Sequence, residues 1–331
     1  MYKNNLKNQN NRLNEGELSY KVLREGEDNE NVLVLFPGGI GTLTQFQNLI
    51  SVINEDNSFN KTIVGMELID RAGFLHDDPA KLIYEMGEQY GKILAKKEFK
   101  TYQMAGYCFG GLVAIEAARY MKKHNKNVEM VFTIDTLPNE TFLDSDLLME
   151  RSFTLFLGVK ASAVGHTIDD ERLKEALEYI VKHTGGRVTT KDLCSLGDEY
   201  SDVAECYKKL ADKTHEERIK EMINCVHTSI GKVSEDELQA VDMLYQIFYH
   251  TSEAVWEYIP RKYYGEVTIL SCKDTSTSFM PSMKTTTKKY IENMVVGKTK
   301  VKEIEGNHGT CVIQPFVSSL AKAIIKSNGT N

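Results

Sequence analysis

A chain of 331 residues, 26% charged and 41% hydrophobic, has the make-up of a globular protein and can bury a large core, as one big domain or two smaller ones. Its net charge of −7 argues against a nucleic-acid footprint, and no stretch of about 18 apolar residues offers a membrane span. The six cysteines, at 108, 194, 206, 225, 272 and 311, form neither a C-x-x-C pair nor a Cys/His ligand spacing, so neither a metal site nor a dense disulfide framework is expected. Reduced thiols in a cytoplasm are the simpler expectation, and the polar N-terminus lacks the apolar region of a signal peptide.

Residues 1–16 read as a flexible tail or linker, and Leu18 to Leu23 as an edge strand. Val32 to Phe36 is a continuous apolar run of strand length, the signature of a strand buried on both faces. It ends in the glycine-rich Pro37-Gly38-Gly39-Ile40-Gly41-Thr42, which lacks the G-K-[ST] ending of a phosphate-binding loop and offers bare backbone N–H groups instead. A helix over Phe46 to Ile53, a strand over Lys61 to Leu68 and a helix over Pro79 to Lys96 follow. Next come a short strand into Gly106, a helix to about His124, and a buried strand from Val128 to Ile134 that stops at Asp135-Thr136-Leu137-Pro138. From Asn139 to about Tyr263 strand character vanishes. Helices are expected over Asp144–Leu157, Thr167–His183, Ser201–Ala211, Glu216–Ile230 and Ser234–Ile259, with Thr167 capping the second and Ser234-x-x-Glu237 forming a capping box on the last. Strands return at Val267–Leu270 and Lys300–Ile304, and a closing helix runs from Pro315 to Lys326. The alternation predicts an α/β fold with a mostly parallel central sheet wrapped by helices, its core formed by 17–138 and 263–331 and interrupted by a large helical insertion over 139–262.

The chemistry concentrates at strand ends, where parallel sheets place their active residues. Gly106-Tyr107-Cys108-Phe109-Gly110 is a nucleophile-elbow pattern with cysteine where serine usually stands. The sharp turn requires small residues on both sides, and it sets the sulfur at a helix N-terminus, where the dipole favours an anion. Of eight histidines, seven (76, 124, 166, 183, 215, 227 and 250) lie on surface-like loops or helices and are expected to be solvated or satisfied. His308 differs: it sits among Gly306, Asn307, Gly309 and Thr310 just after the last strand, and it follows the nucleophile in chain order, as a general base of such a site does. Asp135 and Asp274 both follow strands directly, and either can orient that base. Backbone N–H groups of Phe109 and of the Gly38-Gly39-Ile40 loop are the candidate oxyanion donors.

Phe36-Pro37-Gly38-Gly39, Gly106-Tyr107-Cys108-Phe109-Gly110-Gly111, Ile134-Asp135-Thr136-Leu137-Pro138 and Gly306-Asn307-His308 together resemble the type I thioesterase domains that terminate nonribosomal peptide and polyketide synthetases. The resemblance covers about residues 18 to 138 and 262 to 326. It implies an alpha/beta-hydrolase fold with a helical lid over 139–262, and a Cys-His-Asp triad of Cys108, His308 and Asp135 rather than Asp274. It also implies Gly39 and Phe109 as the oxyanion hole. No cofactor of the chain's own is implied: the acyl chain arrives on the phosphopantetheine arm of an acyl or peptidyl carrier protein and leaves by hydrolysis or by cyclisation to a lactam or lactone. Cysteine for serine is the departure, and the long lid favours product release over proofreading. Two other readings stand beside this one. One is a free-standing cysteine hydrolase or acyltransferase acting on small esters or amides; the other is a non-catalytic module that docks carrier proteins.

Overall fold

The computed structural model describes residues 18–137, 140–226, 233–274, 279–281 and 285–328. The expected tail over 1–16, Pro138 and the far end of the helix expected to reach Ile230 lie outside the described residues. Nine strands are present among the described residues: β1 (Leu18–Arg24), β2 (Asp28–Phe36), β3 (Lys61–Leu68), β4 (Thr101–Tyr107), β5 (Asn127–Ile134), β6 (Phe142–Asp144), β7 (Arg187–Thr189), β8 (Val267–Cys272) and β9 (Thr299–Ile304). The helices are α1 (Gln47–Asn54), α2 (Arg71–Phe74), α3 (Pro79–Ala95), α4 (Phe109–Lys123), α5 (Asp146–Leu157) and α6 (Asp170–Thr184). They continue with α7 (Thr190–Cys194), α8 (Ser201–Ala211), α9 (His215–Val226), α10 (Glu235–Glu257), α11 (Thr287–Met294) and α12 (Val317–Ile325).

Seven strands form one sheet in the order β1-β3-β2-β4-β5-β8-β9, and only β1, at the edge, runs antiparallel to its neighbour. The apolar run of β2 explains its central place. With side chains alternating across the pleat, Val32, Val34 and Phe36 pack under α3 and α4 while Leu33 and Leu35 pack under α1 and α12, all fully buried. The chain leaves β2 in one direction to form β3 and returns past it to form β4. The C-terminal ends of β2 and β4 therefore flank the point where the order reverses, which is where open parallel sheets form their clefts.

The helical insertion enters after β5 and returns to β8, although β5 and β8 are direct sheet neighbours. It has a core of its own, with Leu148, Phe153, Leu177, Tyr207 and Ile219 buried. The helices stand close to their expected positions. Ser234 caps α10 with its hydroxyl accepting from the Glu237 N–H, and the reciprocal bond from the Ser234 N–H completes the capping box. Two expectations need correction. Strands do not vanish here: β6 and β7 pair in parallel, Leu143 opposite Val188, each three residues long and so too short to carry an alternation of its own. Thr167 is not the cap of α6. Asp169 is, accepting from the Arg172 N–H at 2.9 Å, while the Thr167 hydroxyl turns to the Cys206 sulfur.

α10 belongs to both layers. Leu238 and Tyr245 join the insertion's core, whereas Ile247, Ala254 and Tyr258 join the core beneath the sheet. Just beyond its end, Tyr258 and Arg261 hydrogen-bond Glu116, which is 2% exposed on α4 and is also held by Arg119. The insertion is thereby fixed at its exit to the helix that begins at Cys108.

Charge also fastens the insertion internally. Glu150 is fully buried and paired two-to-two with Arg218 at 2.5 and 2.8 Å, and His215 spans from Glu150 to Asp242 at 2.7 and 2.8 Å. Burial alone would lower the His215 pKa, but the two carboxylates raise it to about 9. A guanidinium left in the core without its carboxylate is costly. Glu150→Ala is therefore expected to lower the unfolding free energy by roughly 3–5 kcal/mol, read from urea transitions. Adding Arg218→Met to it should recover part of the loss, because no unpaired charge then remains buried.

Candidate active site

Cys108 stands between β4 and α4 at φ 55°, ψ −124°, a region where an L-residue is strained. Its backbone is held on both sides by β5 and the residues just after it: its N–H donates to the Ile134 carbonyl at 2.9 Å, and its carbonyl accepts from the Thr136 hydroxyl at 2.9 Å. The flanking glycines are required by close approach. A Cβ at Gly106 would run into the Gly110 carbonyl, and one at Gly110 would run into the Phe36 and Pro37 carbonyls. The same contact brings the glycine-rich loop after β2 against the start of α4, so that Pro37, Gly38 and Phe109 border one small apolar cavity.

Asp135, the first residue after β5, also has positive φ, 44°. Its N–H donates to the Leu270 carbonyl at 2.8 Å, its Oδ1 accepts from the Cys272 N–H at 3.1 Å, and its Oδ2 accepts from His308 Nδ1 at 2.7 Å. Burial would raise the Asp135 pKa, but the bond from His308, its charge and the Cys272 amide prevail, holding the carboxyl below its usual range. His308 is raised well above the ordinary histidine value. Burial opposes this, and negative charge at Cys108 together with hydrogen bonds to Asp135 and Cys108 overcomes it. The imidazole thus lies between the thiol and the carboxylate.

His308 rides on a tight loop after β9. Gly306 takes φ 86°, and the Asn307 side chain accepts from the Gly309 N–H and the Thr310 hydroxyl, both at 3.0 Å. Asp274, the other candidate acid, is exposed. Its N–H donates to the Gly306 carbonyl, and it is Asp135 that the His308 Nδ1 meets. Gly39 is buried, and its carbonyl accepts from the Thr251 hydroxyl on α10 at 2.8 Å, so the insertion reaches the glycine-rich loop directly. Phe109, the first residue of α4, places its N–H next in chain to the thiol.

Several neighbours were not legible in the sequence. Tyr107, inside the elbow motif, stacks on the His308 ring; Cys272 acts through its backbone; Thr251 lies in the insertion. The expectation that the other histidines are solvated or satisfied fails at His166. It is 2% exposed, its Nδ1 has no hydrogen-bond partner among the described residues, and burial next to Arg151 and Arg218 lowers its pKa to about 3. His250 Nε2 is likewise buried without a partner among the described residues. The six cysteines are free thiols. Among the described residues no helix is long and apolar enough to cross a membrane.

This arrangement of an elbow at Cys108, a histidine after the last strand and an aspartate between them in the chain defines a class that comparison with known proteins narrows to a family. The thioesterase domain family model matches residues 31–263, and the chain belongs to that family. The match takes in Cys108 and Asp135 and ends before His308, which the fold returns to them. Pyochelin synthetase PchF of Pseudomonas aeruginosa is 23% identical over 289 residues, 87% of this chain but 15% of that protein, so the chain spans a small part of the curated relatives it matches. The solved structures show the same mixed α/β fold with a mostly parallel sheet. The Vlm2 thioesterase domain has a TM-score of 0.57 at 14% identity, covering 95% of this chain and 99% of that one. A four-domain nonribosomal peptide synthetase bound to AMP and glycine gives 0.63 at 17% identity over 94% of this chain and 20% of that one. The surfactin-cyclising thioesterase domain gives 0.51 at 13% identity, covering 96% and 97%.

The shifted pair makes stability depend on pH. Because His308 is raised in the native state, its contribution is complete below the unfolded value of about 6.5 and is lost as pH rises through the native one. Because Asp135 is depressed, its contribution is complete above about 3.9 and is lost as pH falls through its native value. The stability gap between wild type and Asp135→Asn is therefore expected to be widest between about pH 4 and 6.5 and to narrow on both sides. Urea unfolding at acidic, intermediate and alkaline pH measures it; a gap independent of pH would contradict the ion pair.

Proposed function

We propose that the chain is a chain-releasing thioesterase of a peptide or polyketide assembly line, and that Cys108 is its acylated nucleophile. The observation that carries this reading is the half-buried Cys108 at an elbow with positive φ, beside an imidazole whose Nδ1 is held by Asp135. Family membership and the synthetase relatives support a substrate carried as a thioester on the phosphopantetheine arm of a carrier protein.

In the first half-reaction the Cys108 sulfur, as thiolate beside the His308 imidazolium, adds to the thioester carbonyl. The oxyanion faces the Phe109 N–H and the Gly39 loop. Collapse breaks the bond to the pantetheine sulfur, which leaves with the proton from His308 Nε2. In the second, the now neutral His308 takes a proton from water, or from an amine or hydroxyl of the acyl chain itself. That nucleophile adds to the acyl-cysteine, and the Cys108 thiolate leaves as the free acid, lactam or lactone departs. Asp135 holds Nδ1–H throughout and stabilises the imidazolium. Because both the donor and the enzyme intermediate are thioesters, loading is nearly isoenergetic, and the acyl-enzyme stays reactive toward amines.

The test is intact-protein mass spectrometry after mixing with acyl-thioester mimics and with a carrier-bound chain. An acyl mass increment on wild type that is absent from Cys108→Ala supports the reading, and its decay with and without an added amine separates hydrolysis from aminolysis. Asp135→Asn is expected to lose roughly 10⁴-fold in turnover, and Asp274→Asn to retain it. No increment from any donor, with Cys108→Ala turning over as wild type does, would sink the proposal.

A further inference from the structure

Tyr107 takes no part in the chemistry above, yet it meets His308 in two ways. Its ring stacks on the imidazole, with centroids 5.2 Å apart and planes 26° apart, and its hydroxyl donates to the His308 backbone carbonyl. It is 3% exposed and belongs to β4, the strand at the centre of the sheet. On its other flank it lies against Gly38, where an added Cβ would come within 3.0 Å of Tyr107 Cδ1.

The base needs this support. Its own loop is half exposed and is secured mainly by short-range bonds around Asn307. The bond from Nδ1 to Asp135 fixes a distance, but it does not by itself fix the tilt of the ring about that bond. A flat ring against the imidazole face fixes the tilt, and a hydrogen bond to the main chain stops the loop from lifting. The aromatic face also favours the cationic imidazolium over the neutral ring. The Tyr107 hydroxyl remains a donor, since burial above all, with the Asp135 carboxylate nearby, raises its pKa.

We propose that Tyr107 is a positioning residue: it anchors His308 to the central sheet and holds the imidazole in the plane that serves the Cys108 sulfur. This rests on the reading that His308 is the base for Cys108, and the experiment separates the two. Iodoacetamide alkylation of Cys108 is followed against pH by peptide mass mapping in wild type, Tyr107→Phe, Tyr107→Leu and His308→Ala, alongside kcat and KM for an acyl-thioester mimic. Cys206, Cys272 and Cys311 are buried, and mapping resolves Cys108 from the half-buried Cys194 and the exposed Cys225.

His308→Ala should slow the alkylation of Cys108 and change its dependence on pH. Tyr107→Leu should move the profile toward that of His308→Ala and lower kcat with KM unchanged. Tyr107→Phe, which keeps the ring and the packed volume, should restore the wild-type profile yet lose about tenfold in kcat for the missing hydrogen bond. A residue that merely fills space would lower the melting temperature without moving the alkylation midpoint. Wild-type profiles and wild-type kcat in both Tyr107 variants, with a changed profile in His308→Ala, would overturn the positioning role and leave the base intact. An unchanged profile in His308→Ala would overturn the base and the positioning role together.

Discussion

Cys108 occupies a backbone conformation that costs on the order of 1–3 kcal/mol, and the rest of the site is arranged around keeping it there. The Ile134 carbonyl at the end of β5 and the Thr136 hydroxyl just beyond it grip its peptide groups, and the close approach of α4 to β4 and to the end of β2 leaves no room for side chains at Gly106 or Gly110. A thiol in an ordinary strand-to-helix connection would rotate into the core. Here the turn lifts it from the end of β4 and sets it at the first turn of α4, on the side of the loop that carries His308.

That constraint propagates along the sheet. β5 holds the elbow, β8 holds the residue after β5 through the Leu270 carbonyl and the Cys272 amide, and Asp135 then holds His308. The first two links join neighbouring strands, and the last spans from the end of β5 past β8 to the loop after β9, so strand order and register set where the three side chains meet. The strain at Asp135, also at positive φ, belongs to the same chain of contacts.

The insertion is coupled to this machinery at two places. Thr251 on α10 binds the Gly39 carbonyl beside the elbow, and Glu116 on α4 gathers Tyr258, Arg261 and Arg119 where the chain leaves α10. A displacement of α10 would thus be felt both at the glycine-rich loop and at the helix behind the thiol. The Glu150–Arg218–His215–Asp242 group lies farther away and ties α5, α9 and α10 together.

Much of this protein is determined by local sequence. The unbroken apolar run over 32–36 defines a buried strand, because a strand covered on both faces needs no polar alternation, and the largely apolar 61–68 and 128–134 read the same way. The capping box at Ser234 marks the start of α10, and Gly106-x-Cys108-x-Gly110 marks the elbow because only glycine fits where backbones touch. His308 is set apart by its small neighbours. Position in the chain left both Asp135 and Asp274 open and the family resemblance pointed to Asp135; the tertiary structure sets the Asp135 carboxylate against His308 Nδ1. Both aspartates follow strands, those strands lie side by side, and only the positive φ at Asp135 and the Cys272 amide turn its carboxylate toward the imidazole. Tertiary structure alone paired the three-residue β6 and β7, buried His166, and brought Tyr107 to a carbonyl 201 residues away. The physical reason is common to all of these. Periodicity and capping are written into consecutive residues, whereas the partner of a side chain depends on which distant segment the packed core sets beside it.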